Sequence, residues 1–175
     1  MRKTLLKGLL KAPLTERAPA DTEFAALATK LDHAARAKLG RSLSIRQVDA
    51  GSCNGCELEI HALGNAFYDI ERFGMRFVAS PRHADVLLVT GPVTKNMREA
   101  LRRTYDATPN PKWVVSLGSC AFDGGCFAGS YAVIGGVSEV VPVDLHIPGC
   151  PPSPTEILQG LLALLRNLNT DNRAR

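Results

Sequence analysis

The chain has 175 residues, 45% of them apolar and 22% charged, a balance that excludes a disordered protein and suits one α/β domain with a tail. Aromatic residues at 6%, with a single tryptophan, exclude an aromatic-rich nucleic-acid platform, and no nucleic-acid partner is expected. The net charge of +4 is uneven: residues 1–46 carry 10 Lys/Arg against 4 Asp/Glu, and the remainder carries 11 against 13.

The basic character therefore belongs to an N-terminal arm, residues 1–41, which suits docking to an acidic surface such as anionic lipid or another subunit. Within it, Leu5, Leu6, Leu9 and Leu10 form one helical stripe, with Lys3, Lys7 and Lys11 spaced by four. Lys7 interrupts the apolar stretch and no small-residue cleavage site follows, so Met1 to Lys11 reads as a surface helix rather than a secretory signal. Pro13 and Pro19 mark a linker over 12–20. Asp21 is placed to cap a second helix carrying Phe24, Leu27, Leu31, Ala34 and Ala35, which Gly40 stops after Leu39. Such a helix is marginal alone and must lie on this domain or on a partner.

From Ser42 to residue 170 the pattern becomes that of an α/β domain, leaving 171–175 as a tail. Leu43 to Ala50 reads as a strand, then a Gly-containing loop, then a helix over Glu57 to Ile70. Met75 to Ala79 is a short strand, and Ala84 to Thr90 is a buried one. Thr94 is placed to cap a helix through Tyr105, and Trp113 to Leu117 is another buried strand. Residues 121–139 are glycine-rich and irregular. Val140 to Ile147 reads as a strand interrupted by Pro142, hence short or at an edge. Ser153 or Pro154 opens a last helix to about Leu168. Strands alternating with helices predict a flavodoxin-like open parallel sheet with helices on both faces. No apolar run is long enough for a membrane-spanning helix, and no nucleotide-binding glycine fingerprint follows a strand.

Chemistry concentrates in the cysteines. Their odd number, five, argues against full pairing in disulfides. Cys53 and Cys56 are separated by two residues, and Cys120 and Cys150 follow far along the chain. Each group follows a predicted strand, and loops at the carboxyl ends of parallel strands share one edge of the sheet. Four thiols meeting there point to a metal site, zinc or iron–sulfur, with a thiol-redox pair or inert cysteines as the other readings. Gly51, Gly55, Gly118, Gly124, Gly125 and Gly149 surround the cysteines and favour a bulky cluster, because glycine lets main-chain N–H groups come close. Cys56 begins a helix, whose positive end would face an anionic centre. Cys126 is the extra thiol and reads as a small buried hydrophobe.

With these residues in view, the sequence resembles the iron–sulfur small subunit shared by membrane-bound, energy-converting (group 4) [NiFe] hydrogenases and the 20 kDa, or B, subunit of respiratory complex I. The stretches that carry the resemblance are Asp49 to Ile60, Ser80 to Asp85, Thr90 to Thr94, Gly118 to Ala121 with Gly124 and Gly125, and Ile147 to Pro152. The resemblance implies one [4Fe-4S] cluster on Cys53, Cys56, Cys120 and Cys150, serving as the proximal electron relay. Complex I relatives carry adjacent cysteines at the first site. The spacing through Asn54 and Gly55 is similar to the hydrogenase branch, formate hydrogenlyase included.

It further implies a neighbouring [NiFe]-type large subunit that holds the active centre, a ferredoxin-like iron–sulfur subunit and membrane-arm subunits. The expected location is peripheral, on the cytoplasmic face of the inner membrane. Glu59 sits where the family has a glutamate near the cluster, which makes it the candidate for proton transfer coupled to electron transfer. Glu57 reads as a helix-capping acid, His61 as a surface residue, His83 as loop packing and His146 as a tuner of the cluster by a hydrogen bond. Arg82 is placed to pair with Asp85 or with a partner's carboxylate. Two other functions stand beside this one: a complex I-type or other non-hydrogen-evolving relative using the same cluster, and a zinc-stabilised assembly module without redox chemistry.

Overall fold

The computed structural model describes residues 22–167. The expected basic helix over Met1–Lys11, the linker, the Asp21 cap and the tail lie outside the described residues.

Helix α1 (Thr22–Leu39) places Phe24, Ala28, Leu31 and Ala35 on one buried stripe. The spacing is that of a single helical face. The Gly40 N–H closes the helix on the Arg36 carbonyl at 2.9 Å. This helix packs along the last helix, α5 (Pro154–Asn167), and joins the same hydrophobic core, so this part of the N-terminal arm is integral to the domain's packing.

Five strands build the main sheet: β1 (Ser44–Asp49), β2 (Arg76–Phe77), β3 (Val86–Thr90), β5 (Trp113–Leu117) and β7 (Leu145–Ile147). All neighbours are parallel, in the order β2-β1-β3-β5-β7. Taken in chain order, these five strands have the 2-1-3-4-5 arrangement of flavodoxin-like sheets, with the direction of winding reversing between β1 and β3. A small antiparallel pair, β4 (Val93–Thr94) with β6 (Val133–Gly135), lies apart from it.

The strand side chains serve two cores by turns. On β3, Val86 and Leu88 pack with α1, α5 and helix α2 (Gly55–Leu63), while Leu87 and Val89 pack on the other face with Leu101 of α3 (Arg98–Ala107) and Ala121 of α4 (Ser119–Asp123). Burial on both faces explains why β3 and β5 read as unbroken apolar runs. Each fully buried Leu or Ile contributes about 2 kcal/mol of transfer free energy.

Three elements differ from the sequence reading. Helix α2 ends at Leu63 rather than near Ile70, because the Asn65 carboxamide accepts the Phe67 and Tyr68 N–H groups at 2.8 and 3.0 Å and turns the chain. Thr94 lies on β4 and caps the turn before α3, accepting the Met97 N–H at 3.3 Å, while the helix itself begins at Arg98. The strand expected over Val140 to Ile147 keeps only its last three residues, at the sheet edge. Asp144 starts it by exchanging two bonds with Val114, each of 2.8 Å.

Candidate metal centre

The loops after β1, β5 and β7 leave the carboxyl edge of the sheet and turn toward one another. After β1, the Asp49 carboxylate accepts the Gly51 and Ser52 N–H groups at 2.8 Å, and Asn54 takes a left-handed conformation with φ of 72° just before α2. After β5, the Gly118 N–H donates to the Ile147 carbonyl at 2.8 Å, which brings the Cys120 loop beside the Cys150 loop. Cys53, Cys56, Cys120 and Cys150 then line one cavity of about 80 Å³, together with Ser52, Gly91 and Pro151. Cys53 and Cys150 are exposed, and Cys56 and Cys120 are half-buried, so the cavity opens at the protein surface.

The cavity fits a thiolate-bound group by two observations. Gly118 has φ of +85°, and a Cβ there would lie 2.7 Å from the Cys56 sulfur. Only glycine allows this turn and this approach together. The second is the donor set itself, four thiols on the wall of one cavity. Burial, then the Glu57 carboxylate, then Cys53, Cys120 and Cys150 push the Cys56 thiol up to about 12. Burial raises Cys120 as well, with Cys126 as the next cause. Thiols arranged this way ionise when a cationic centre arrives and takes their protons' place. Among the described residues no three His, Cys, Asp or Glu side chains converge closely enough to hold a single ion.

The acid set deepest at the site is Glu57, not Glu59. Glu57 is 5% exposed, and both its carboxylate oxygens are buried with no hydrogen-bond partner among the described residues. It does not cap α2, as its sequence position suggested. Glu59 is half-buried. The signal for Glu57 was present in the sequence, since Glu57, Ile60 and Leu63 recur at three-residue steps on the inward stripe of α2.

None of His61, His83 and His146 lines the cavity. His61 and His83 are exposed. His146 Nδ1 and Ser116 Oγ share a hydrogen bond of 3.0 Å, and the His146 ring lies 4.5 Å from that of Phe122. Burial lowers the His146 pKa from its ordinary value. Asp85 pairs with Arg41, rather than Arg82, and accepts the Ser44 N–H at 2.9 Å. Cys126 is exposed at the surface, not a buried hydrophobe.

Fold and site together define an α/β protein with a thiol-lined cavity at the carboxyl edge of an open parallel sheet. Residues 53–164 match the family model described as NADH ubiquinone oxidoreductase, 20 Kd subunit, and the chain belongs to that family. It is 47% identical over 138 residues to formate hydrogenlyase subunit 7 of Escherichia coli, covering 79% of this chain and 54% of that protein. The chain thus spans about half the length of that relative. It is 46% identical over 130 residues to a probable membrane-bound hydrogenase subunit, mbhJ, of Pyrococcus furiosus, covering 74% of this chain and 78% of that one. In structure it is similar to a chain of the membrane-bound sulfane sulfur reductase (MBS), an archaeal respiratory membrane complex. The TM-score is 0.66 at 35% identity, over 82% of this chain and 77% of that one. The resemblance to hydrogenase and complex I small subunits is thereby borne out, as is the flavodoxin-like sheet. Among the described residues no helix is long and apolar enough to cross a membrane.

Proposed function

We propose that this chain is the electron-transfer subunit of a membrane-bound, hydrogenase-like oxidoreductase complex, holding one [4Fe-4S] cluster on Cys53, Cys56, Cys120 and Cys150. The observation that carries the reading is the convergence of four thiols from three loops on one surface cavity of about 80 Å³. A single zinc ion would need all four sulfurs about 2.3 Å from one point. Glycine at 55 and 118, against the Cys53 and Cys56 sulfurs, keeps the walls of the cavity free of side chains and supports a bulkier group instead.

A cluster bound here would supply one-electron redox chemistry, and the protein supplies position and environment. The four thiolates fix it near the surface, while burial around Cys56 and the Glu57 carboxylate set the local field. The half-buried Glu59, further along α2, is the candidate proton carrier toward a partner. The Cys53–Cys56 spacing and the names of the two relatives favour the hydrogenase branch over complex I.

Electrons pass between a [NiFe]-type large subunit, which carries the active centre, and a ferredoxin-like subunit. The rim supports such a contact: Leu58 and Phe122, each two residues from a cavity cysteine, are 60% and 59% exposed. Large apolar side chains left open beside a site mark a surface that a partner covers. The basic residues before α1 meet membrane-arm subunits or the lipid surface, holding the complex peripherally on the cytoplasmic face of the inner membrane.

Anaerobic purification of the complex tests the reading. The expected result is about four irons and four sulfides for this chain, with a reduced-state EPR signal. Cys120→Ser loses or converts the signal. Stoichiometric zinc without iron, or a full signal in the Cys120→Ser complex, overturns the assignment.

A further inference from the structure

A fifth thiol stands beside the four. After Cys120 the chain turns back on itself: the Gly124 N–H donates to the Cys120 carbonyl at 2.9 Å, and the Asp123 carboxylate accepts the Gly125 N–H at 2.8 Å. Gly125, with φ of +50°, then crosses directly over Cys120. A Cβ on Gly125 would lie 2.7 Å from the Cys120 sulfur and 3.0 Å from its Cα. This crossing leads the chain straight into Cys126, the residue after Gly125, so a second thiol follows directly on the residue that covers the Cys120 sulfur. Cys126 itself is exposed to solvent. A disulfide needs the two Cα atoms within roughly 4.4–6.8 Å, and the turn through Gly124 and Gly125 folds the chain back toward that approach.

We propose that Cys120 and Cys126 form a thiol–disulfide modification site of the cluster-free chain, closed by a low-molecular-weight disulfide such as oxidised glutathione. The exposed Cys126 thiolate attacks one sulfur of oxidised glutathione, forming a mixed disulfide and releasing one glutathione thiolate. The Cys120 thiolate then attacks the Cys126 sulfur, forming the intrachain bond and expelling the second glutathione. The two protein thiols give up two electrons and two protons, and the glutathione disulfide takes them up as two thiols. Closure removes Cys120 from the set of four, so the inference rests on Cys120 being a cluster ligand. With three thiols left, the cavity takes up a cluster poorly until a dithiol reductant reopens the bond. A bound cluster occupies Cys120 and prevents closure, so the modification is confined to the chain before loading.

The test uses the full chain, freed of iron by a chelator, kept folded and exposed to oxidised glutathione under anaerobic conditions. Free thiols are then alkylated and the chain is digested for mass spectrometry. The expected map shows Cys120 joined to Cys126, with Cys53, Cys56 and Cys150 alkylated. Uptake of iron and sulfide falls about tenfold after oxidation and returns with dithiothreitol. Cys126→Ser and Cys126→Ala show no crosslink and keep their uptake after the same oxidation. Cys126 left alkylatable, Cys120 joined to another cysteine, or equal loss of uptake in the Cys126 variants overturns the proposal. Failure of the reduced, unmodified chain to take up iron would instead bring down the cluster reading, while the crosslink map would stand.

Discussion

The main-chain N–H and the hydroxyl of Ser119 both donate to the Gly149 carbonyl, at 2.9 and 3.2 Å. Ser119 precedes Cys120 and Gly149 precedes Cys150, so one carbonyl clamps together two cysteines that lie 30 residues apart in the chain. The clamp is main chain and small side chain, which leaves the sulfurs free. Gly118, one residue earlier, completes the same junction against Cys56.

Gly118→Ala should therefore empty the site while sparing the fold. The added methyl would meet the Cys56 sulfur at 2.7 Å, in a conformation with φ of +85°. Holding alanine there costs about 1–3 kcal/mol. The variant is expected to keep its far-ultraviolet circular dichroism and to lose most of its bound iron. A normal iron content would show that Cys56 and Gly118 do not meet as described.

Glu57→Gln removes a charge that the structure buries without a partner. A buried carboxylate costs more than a buried amide, so the cluster-free variant should be more stable by about 1 kcal/mol or more in urea unfolding. After burial, that carboxylate is the next cause raising the Cys56 thiol, which stands at about 12. Without it the thiol falls, and Cys56 should react faster with iodoacetamide at the same mildly alkaline pH. An unchanged alkylation rate at Cys56 would contradict the electrostatic coupling.

Much of this was legible in the sequence because the informative residues act locally. Buried β3 and β5 announce themselves as apolar runs, and Gly40 stops α1 where it should. The convergence of three cysteine loops followed from strand alternation alone, since parallel strands send their carboxyl ends to one edge. What escaped depends on contacts between distant segments or on side-chain turns. The Asn65 carboxamide ends α2 early, and nothing in its periodicity says so, since Ile70 is again apolar and buried. The pairing of β4 with β6 joins Val93 to Gly135 across a glycine-rich stretch that has no strand pattern of its own. The meeting of Cys126 with Cys120 needed the Asp123–Gly125 turn, whose Asp-Gly pair is a turn signal that a six-residue cysteine spacing obscures.

Asp85 ties the start of the sheet to the chain leaving α1. It is 3% exposed, accepts the buried Ser44 N–H at 2.9 Å and pairs with Arg41. Asp85→Ala strands that N–H and should cost about 1–3 kcal/mol. Asp85→Asn keeps an acceptor oxygen and sheds the buried charge, so it should cost less, because the lost partner Arg41 is largely exposed. Burial raises the Asp85 pKa above 3.8, opposed by the Ser44 bond and Arg41. The folded state thus holds this proton more tightly than the unfolded chain, and the group's contribution is greatest below the unfolded value and declines as pH rises through the folded one. Urea midpoints of the three proteins should rank wild type, Asn, Ala.

The last helix supplies the opposite pH dependence. Ser153 and Glu156 form a reciprocal cap on α5: the Glu156 carboxylate accepts the Ser153 N–H at 2.7 Å and its hydroxyl at 2.8 Å, and the Ser153 oxygen accepts the Glu156 N–H at 3.4 Å. These bonds lower the Glu156 pKa below 4.5. A lowered folded value means that the stabilisation is fully present above the unfolded pKa and is lost as pH falls through the folded one. Glu156→Gln should therefore melt lower than the parent at neutral pH, with the gap closing below about the ordinary carboxylate range. Ser153→Ala, which loses the other half of the cap, should cost about 1 kcal/mol at neutral pH. Melting curves of the cluster-free chain across that pH range check both, and a gap for Glu156→Gln that widens in acid would assign its effect to something other than the cap. Because α5 begins four residues after Cys150, the Ser153→Ala chain should also release iron faster to a chelator, an outcome that separates this cap from one on a helix remote from the cavity.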